Sequence, residues 1–113
     1  MVFPWRQQSS ERRRTRSRSA APRVIGMPWF STDDYEAFKR LLPARHWHAS
    51  FQTWQAGAEQ LRQEIETSAH TRVIPVPVYS HAFADWCREQ QRDIDCSSLR
   101  EYTMVLTHDL TAA

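Results

Sequence analysis

Apolar and polar positions follow a helical period over much of the chain, and the first such stretch predicts a helix that begins after Ser31. Ser31 is a good N-cap residue, and Asp33 and Asp34 stand in the first turn, where the helix dipole favours acidic side chains. Pro43 marks the end, because proline interrupts a helix. The apolar positions are Tyr35, Phe38, Leu41 and Leu42. Their spacing predicts one buried face.

A second helix is predicted from a cap at Ser50 to about Ser68. Its apolar seam consists of Phe51, Trp54, Ala58, Leu61 and Ile65. Gly57 stands in the middle of this helix, where glycine costs about 1 kcal/mol relative to alanine. Because Gly57 lies beside the seam, we expect the backbone of another element to approach closely there.

Residues 73–79, VIPVPVY, predict a strand with one blocked edge. Valine and isoleucine favour strands, but Pro75 and Pro77 have no N–H group to donate. The two prolines are two residues apart, so both missing donors face the same flank. The opposite flank carries the N–H groups of Ile74, Val76 and Val78. We therefore expect an edge strand that pairs on one side only. Its partner is either the short run Arg23–Gly26 or a second copy of the chain, which would form a symmetric dimer.

Two further helices follow the strand. Ser80 is a candidate cap for the third, and Asp95 or Ser97 for the fourth. The apolar faces are Phe83, Trp86 and Cys87, then Leu99, Tyr102 and Leu106. The run YTMVLTH is rich in β-branched residues and is also compatible with a strand, but the spacing favours a helix. The predicted fold class is α+β and mostly helical: about four helices around one proline-containing edge strand, in the order α-α-β-α-α.

Charge divides the chain into two parts. Residues 1–23 carry seven arginines and one acidic residue, Glu11, whereas the rest carries eight basic and twelve acidic side chains. The tail has low hydrophobicity and no period, so it cannot bury enough apolar surface to fold. We expect a disordered basic tail over residues 1–26 and a single small domain over residues 27–113. Met27 is an alternative start of the protein.

The basic tail raises the alternative of nucleic-acid binding, because clustered arginines bind phosphates. The candidate residues are Arg12, Arg13, Arg14, Arg16 and Arg18. Fourteen arginines against one lysine, and no asparagine, are typical of a GC-rich bacterial coding sequence. Neither the apolar core of a signal peptide nor a run of the ~18 apolar residues of a membrane helix is present. The expected location is therefore the cytoplasm, without membrane contact.

Candidate chemistry is sparse. His46 and His48 are weak metal candidates, because a structural zinc site usually shows paired ligands at two places in the sequence. Cys87 and His81 are six residues apart on one predicted helix, which turns them to opposite faces and disfavours a nucleophile and base. No phosphate-binding glycine loop or hydrolase motif is found. We predict no cofactor and lean against an enzyme, with a small metal- or thiol-dependent enzyme as the remaining alternative.

Aromatic residues and the strand are the features that suggest binding. Trp29 and Trp47 lie in connections, where they act as hot spots of a binding surface, as a platform on which bases stack, or as covers for the ends of the core. The candidate partner-binding residues are Trp29, Arg45, Trp47, Ile74, Val76 and Val78. The first hypothesis is a non-catalytic protein-interaction module of a bacterial cytoplasm that self-associates as a homodimer.

Four segments also carry a family resemblance: MPWFSTDDYEAFKRLL, FQTWQAGAEQL, VIPVPVYSHAFADWC and DCSSLREY. Together they resemble a group of small uncharacterised bacterial proteins with a Pro-Trp-aromatic start, a central tryptophan helix and a Phe-x-x-Trp-Cys motif. The resemblance covers Met27 to about Tyr102. It implies a shared fold, adds no activity, and leaves residues 1–26 outside the shared domain.

Overall fold

A computed structural model of the chain describes residues 23–112. Within these residues the fold is α+β, with four α-helices and one parallel sheet of two strands. None of these helices combines the length and the apolar character needed to cross a bilayer. The elements in chain order are β1 (Arg23–Trp29), a 3-10 turn (Thr32–Asp34), α1 (Tyr35–Leu41), α2 (Phe51–Ser68), β2 (Thr71–Pro77), α3 (Ser80–Glu89) and α4 (Cys96–Thr111).

The predicted order α-α-β-α-α lacks the strand β1. The run Arg23–Gly26, one of the two predicted partners of β2, does pair with it, but Gly26 and Pro28 belong to residue types that are depleted in strands, so the sequence alone does not show a strand that extends to Trp29. The strand forms because it pairs with β2 and because α4 packs directly on it. A side chain on Gly26 would overlap Thr107 Oγ1 and lie 3.0 Å from Val76 Cγ2. Residues 23–26, which the sequence assigns to the tail, therefore lie in the folded body, and residues 1–22 lie outside the described part.

The two strands run parallel in a register that pairs Arg23 with Thr71 and Trp29 with Pro77. Beyond the end of the ladder, the Val78 N–H donates to the Trp29 carbonyl at 3.1 Å. Backbone groups alternate between the two flanks of a strand, so the Val73 N–H points away from β1. It donates instead to Glu66 Oε2 of α2 at 3.0 Å. The partner of β2 is therefore an element of the same chain.

Helices cover both faces of the sheet. On one face α2 packs against the strands, with the rings of Trp29 and Trp54 5.2 Å apart. On the other face lies α4, whose buried positions next to the sheet include Thr103 and Thr107. Their hydroxyls donate to the carbonyls of Leu99 and Thr103 at 2.7 and 2.6 Å. These bonds satisfy the two hydroxyl groups within the helix, and the run YTMVLTH is helical, as its spacing predicted.

The core is rich in aromatic residues and lies between the four helices and the sheet. Its residues with exposure of 2 % or less include Phe30, Tyr35, Phe38, Val76, Val78, Phe83 and Cys87. Most neighbouring rings meet at tilted or edge-on angles, for example Phe30 and Phe38 with centroids 4.8 Å apart, whereas Phe38 and Phe83 are stacked. The core therefore gathers residues from distant parts of the chain into one cluster.

Two helix starts differ from their predicted caps. Ser31 makes no capping bond and precedes the 3-10 turn rather than α1. Ser80 is the first residue of α3, not its cap. Both the backbone N–H and the hydroxyl of Ser80 donate to the carboxylate of Asp34, each at 2.6 Å. Asp34 thus supplies an acceptor at the start of α3 from a position 46 residues away. By contrast, α2 begins as predicted, because Ser50 Oγ accepts from the Thr53 N–H at 3.1 Å.

Candidate functional site

Arg45 lies on an aromatic platform in the loop between α1 and α2. The guanidinium carbon is 4.8 Å from the ring centroid of Trp47 and 5.0 Å from that of Phe30. Trp47 is held in place because its indole N–H donates to the Leu42 carbonyl at 2.7 Å. The Arg45 N–H donates to the same carbonyl at 3.1 Å. The loop therefore presents a guanidinium over two ring faces, an arrangement that favours the cation.

The charge on Arg45 has no counter-ion within residues 23–112, where none of the ion pairs involves it. Burial lowers the pKa of the Arg45 guanidinium, an effect that Cys96 and Tyr35 partly oppose through their charge interactions. The group remains protonated at neutral pH, since arginine pKa values lie far above it. Arg45 is thus a half-buried cation without an acidic partner in the described part of the protein.

Two grooves meet at Arg45, one on each face of the sheet. The α2-side groove encloses about 410 Å³ and the α4-side groove about 200 Å³. The α2-side groove is lined by Met27, Pro28, Arg45, His46, His48, Trp54, Gly57, Ala58 and Leu61. The α4-side groove is lined by Gly26, Pro28, Arg45, Cys96, Leu99, Arg100, Thr103 and Met104. Arg45 and Pro28 belong to both grooves. A hollow of about 570 Å³ also lies along α2, but all its lining residues belong to that one helix.

Both grooves combine apolar walls with positive charge. No aspartate or glutamate lines either of them, whereas Arg45 and Arg100 do. This departs from the rest of the body, because residues 24–113 carry twelve acidic and eight basic side chains. Leu61 and Met104 are 49 % and 58 % exposed. The grooves therefore provide apolar contact area and a local excess of cations.

Gly57 forms part of the floor of the α2-side groove. A Cβ atom there would meet one atom within 4 Å, His48 Nε2 at 4.0 Å. The prediction that another backbone packs closely against Gly57 is therefore wrong. Its backbone does not require glycine either, because its φ is not positive. Glycine at this position lowers the stability of the helix and leaves open space in the groove.

The outer edge of β1 lies between the two grooves. We define it as the backbone groups of Val24, Gly26 and Pro28. The Trp29 carbonyl faces β2, so by alternation these three residues direct their backbone groups away from β2. Within residues 23–112, β2 is the one strand that pairs with β1. The outer edge therefore carries the N–H groups of Val24 and Gly26 and three carbonyl groups.

The structure separates the predicted partner-binding residues into two sets. Arg45 and Trp47 come together, and Trp29 packs nearby against Trp54. Val76 and Val78 are each 1 % exposed, and Ile74 is half-buried. The flank of β2 that was expected to meet a partner is occupied by β1. These three residues belong to the core and its margin. The strand that pairs with β2 is β1 of the same chain, so this flank has no room for a second copy.

The histidine candidates line a groove without forming a metal cluster. The rings of His46 and His48 lie with centroids 6.1 Å apart. Across the described residues, no group of three or more histidine, cysteine, aspartate or glutamate side chains is placed to hold a metal ion. Both histidines line the α2-side groove together with Arg45.

The two residues considered as nucleophile and base lie in different environments. Cys87 is fully buried in the core, and burial raises the pKa of its thiol, although a hydrogen bond with Ser98 acts in the opposite direction. The His81 side chain is 84 % exposed and lies 3.7 Å from Asp85. A buried thiol with a raised pKa is a poor nucleophile, which matches the interpretation of Cys87 as a core residue.

Other residues of the site were not identified from the sequence. Leu61, Arg100 and Met104 come from α2 and α4 and meet near β1 only through the tertiary fold. The glycine at position 57 is the one local signal, but its prediction of close packing is wrong, because the structure leaves open space there. The nucleic-acid candidates Arg12, Arg13, Arg14, Arg16 and Arg18 lie outside the described residues.

Comparison of the chain with protein-family models, with curated protein sequences and with solved structures found no significant match. The resemblance to the tryptophan-containing bacterial group therefore rests on the four sequence segments alone.

Proposed function

We propose that this domain is a non-catalytic protein-interaction module that binds an acidic segment of a partner protein at Arg45. The observation that carries the proposal is the half-buried Arg45 guanidinium, which lies on Trp47 and Phe30 between two grooves without acidic lining residues. The predicted setting, the cytoplasm of a bacterium, remains part of the proposal.

A carboxylate is the group that complements this arrangement. Arginine is rigid and planar and pairs with carboxylates through two parallel hydrogen bonds. Part of its hydration is already lost in the free protein, because Arg45 is half-buried. A ligand carboxylate therefore gains a charge-assisted bond while adding little further desolvation of the arginine.

The grooves favour a protein segment over a nucleic acid. Met27, Leu61 and Met104 offer apolar side chains rather than a continuous row of cations. Interfaces with DNA are larger and much more positively charged, and the body outside the tail carries more acids than bases. A short acidic peptide with apolar side chains fits both the charge and the walls.

The test uses the full chain and a synthetic library of peptides of about six residues, the common length of a strand. Half of the library contains one glutamate and half contains glutamine at the same position. Binding is measured by fluorescence anisotropy for the wild type, Arg45→Gln and Arg40→Gln. Arg40 is the matched control, because it is exposed at the end of α1 and lines neither groove.

We expect glutamate peptides to bind the wild type and Arg40→Gln equally, and to lose about tenfold or more in affinity with Arg45→Gln. Equal binding of glutamate and glutamine peptides, or no binding at all, contradicts the proposal. A single-stranded oligonucleotide that binds more tightly than every peptide would favour the nucleic-acid alternative. A mass of twice 13.3 kDa by light scattering without peptide would favour a second copy as the partner.

A further inference from the structure

We infer that the acidic segment binds as an added strand along the outer edge of β1, with its alternate side chains entering the two grooves. This inference rests on the proposed function and specifies its geometry. It follows from the position of the grooves, which lie on opposite faces of the sheet and meet at Pro28 and Arg45.

The outer edge of β1 offers backbone groups for such pairing. The N–H groups of Val24 and Gly26 point away from β2, since the Trp29 carbonyl faces β2 and backbone groups alternate along a strand. A peptide that adds to a sheet edge gains its affinity from these main-chain bonds and its specificity from pockets for alternate side chains. Pro28 has no N–H, so the donors lie toward the beginning of β1.

The side chains of an added strand point alternately to the two faces of the sheet. On one face they meet the α2-side groove, where Gly57 leaves space between His48 and Leu61. On the other face they meet the α4-side groove beside Met104 and Arg100. One short extended segment can therefore occupy both grooves at once, whereas a helix presents side chains at a period that does not match them.

The charges indicate the composition of the segment. Arg45 borders both grooves at the Pro28 end of the edge, so an acidic side chain opposite Pro28 reaches it from either face. Apolar residues at two neighbouring positions complement Leu61 on one face and Met104 on the other. A second copy of β1 fits less well, because its only charged residue, Arg23, is basic.

The edge is tested with Val24→Pro, which removes one outward N–H, and with Val24→Ala, which keeps it. Proline is tolerated at the outer side of an edge strand, so both variants are expected to unfold at similar temperatures. The probe is the tightest glutamate peptide from the six-residue library. We expect Val24→Pro to bind this peptide roughly tenfold more weakly than Val24→Ala. A loss of this size corresponds to about one hydrogen bond removed from a desolvated strand edge. Equal affinity of the two variants overturns strand addition.

A second measurement covers the case in which Val24→Pro fails to fold. Amide hydrogen exchange of the wild type is followed with and without the peptide. We expect the Val24 and Gly26 amides to exchange at least about tenfold more slowly in the complex. Peptide binding that depends on Arg45 but leaves both rates unchanged overturns strand addition and retains the proposed function. Absence of peptide binding overturns both the proposed function and strand addition. If the wild type is a dimer and Val24→Pro dissociates it, the strand that binds at this edge comes from a second copy of the chain and not from an acidic segment.

Discussion

The two outer edges of the sheet differ in how their backbone groups are used. Along β2, Pro75 and Pro77 remove two donors, and the N–H of Val73 is bonded to Glu66. Along β1, the N–H groups of Val24 and Gly26 face outward between two grooves. Exposed edges invite pairing with other chains, and proteins commonly protect them with proline or with a covering side chain. The β2 edge has both kinds of protection, whereas the β1 edge has only a proline, Pro28, near its end.

This difference indicates where the molecule is available for pairing. Because β2 lacks two donors at its outer edge and β1 has two outward N–H groups, an added strand would pair with the outer side of β1. The same side carries Arg45, its aromatic platform and the mid-helix Gly57. We therefore regard the asymmetry of the two edges as the structural basis of the proposed binding function.

The largest expected effect comes from removing the beginning of β1. A chain that starts at Met27 lacks four of the seven residues of β1, including the residues paired with Thr71 to Ile74. Because α4 packs on Gly26, this truncation removes a strand and the surface under a helix together. We expect no cooperative thermal unfolding transition by circular dichroism. A chain that starts at Arg23 is the control and should unfold cooperatively; equal midpoints for the two would contradict the role of β1.

The next effect concerns the contact between β1 and α4. Gly26→Ala places a methyl group against Thr107 Oγ1, and such overpacking costs about 1–3 kcal/mol of unfolding free energy. Thr107→Ala removes the overlapping atom, so the double variant should recover part of the loss. Urea unfolding of the four chains gives the coupling energy. Additive costs, with no recovery, would show that α4 does not pack on Gly26 as described.

A comparable effect is expected at the protected edge of β2. Glu66→Ala leaves the buried N–H of Val73 without its acceptor, which costs about 1–3 kcal/mol. Glu66→Gln retains a side-chain oxygen that can accept this bond and should cost less. The order of the two unfolding free energies is measured with urea. If Glu66→Ala is as stable as Glu66→Gln, the Glu66 side chain does not stabilise this edge by accepting the Val73 N–H.

The smallest effect is a gain in stability. Gly57→Ala should raise the unfolding free energy by about 1 kcal/mol, because alanine is the better helix former and its methyl group has room. The same methyl group narrows the α2-side groove, so the affinity for the glutamate peptide should fall. Ala56→Gly, in the exposed neighbouring position, is the control and should lower stability without changing affinity. A more stable Gly57→Ala with unchanged affinity would exclude Gly57 from the binding surface.

Local signals in the sequence were sufficient for most helices. The Ser50 cap and the apolar seam predicted α2 with its observed bounds, and Asp95, one of two predicted caps, accepts from the Ser98 N–H at 2.8 Å. Neither signal depends on distant residues. By contrast, β1 contains glycine and proline and becomes a strand through pairing with β2, a contact that local propensity does not express. The bond between Asp34 and Ser80 was missed for the same reason.

The candidate site was predicted only in part. Arginine and tryptophan are common in binding surfaces, which predicts Arg45 and Trp47 as binding residues, and the two side chains do meet. The prolines of β2 predict Val76 and Val78 as part of a flank that pairs with a partner, and in the structure β1 pairs with that flank. The grooves require α2, α4 and the Arg45 loop in their folded positions. Leu61 and Met104 are far apart in the sequence, so no local sequence pattern predicts that they lie on opposite faces of the same strand.

The most direct measurement of the difference between the two edges is residue-resolved amide hydrogen exchange of the free chain. Gly26 and Met27 are adjacent in β1, but by alternation Gly26 faces outward and Met27 faces β2. We expect the Gly26 amide to exchange faster than that of Met27 by a factor of about ten or more, and Val73, bonded to Glu66, to be protected. Equal protection of Gly26 and Met27 would show that the outer edge of β1 is already paired and would contradict its role as a docking edge.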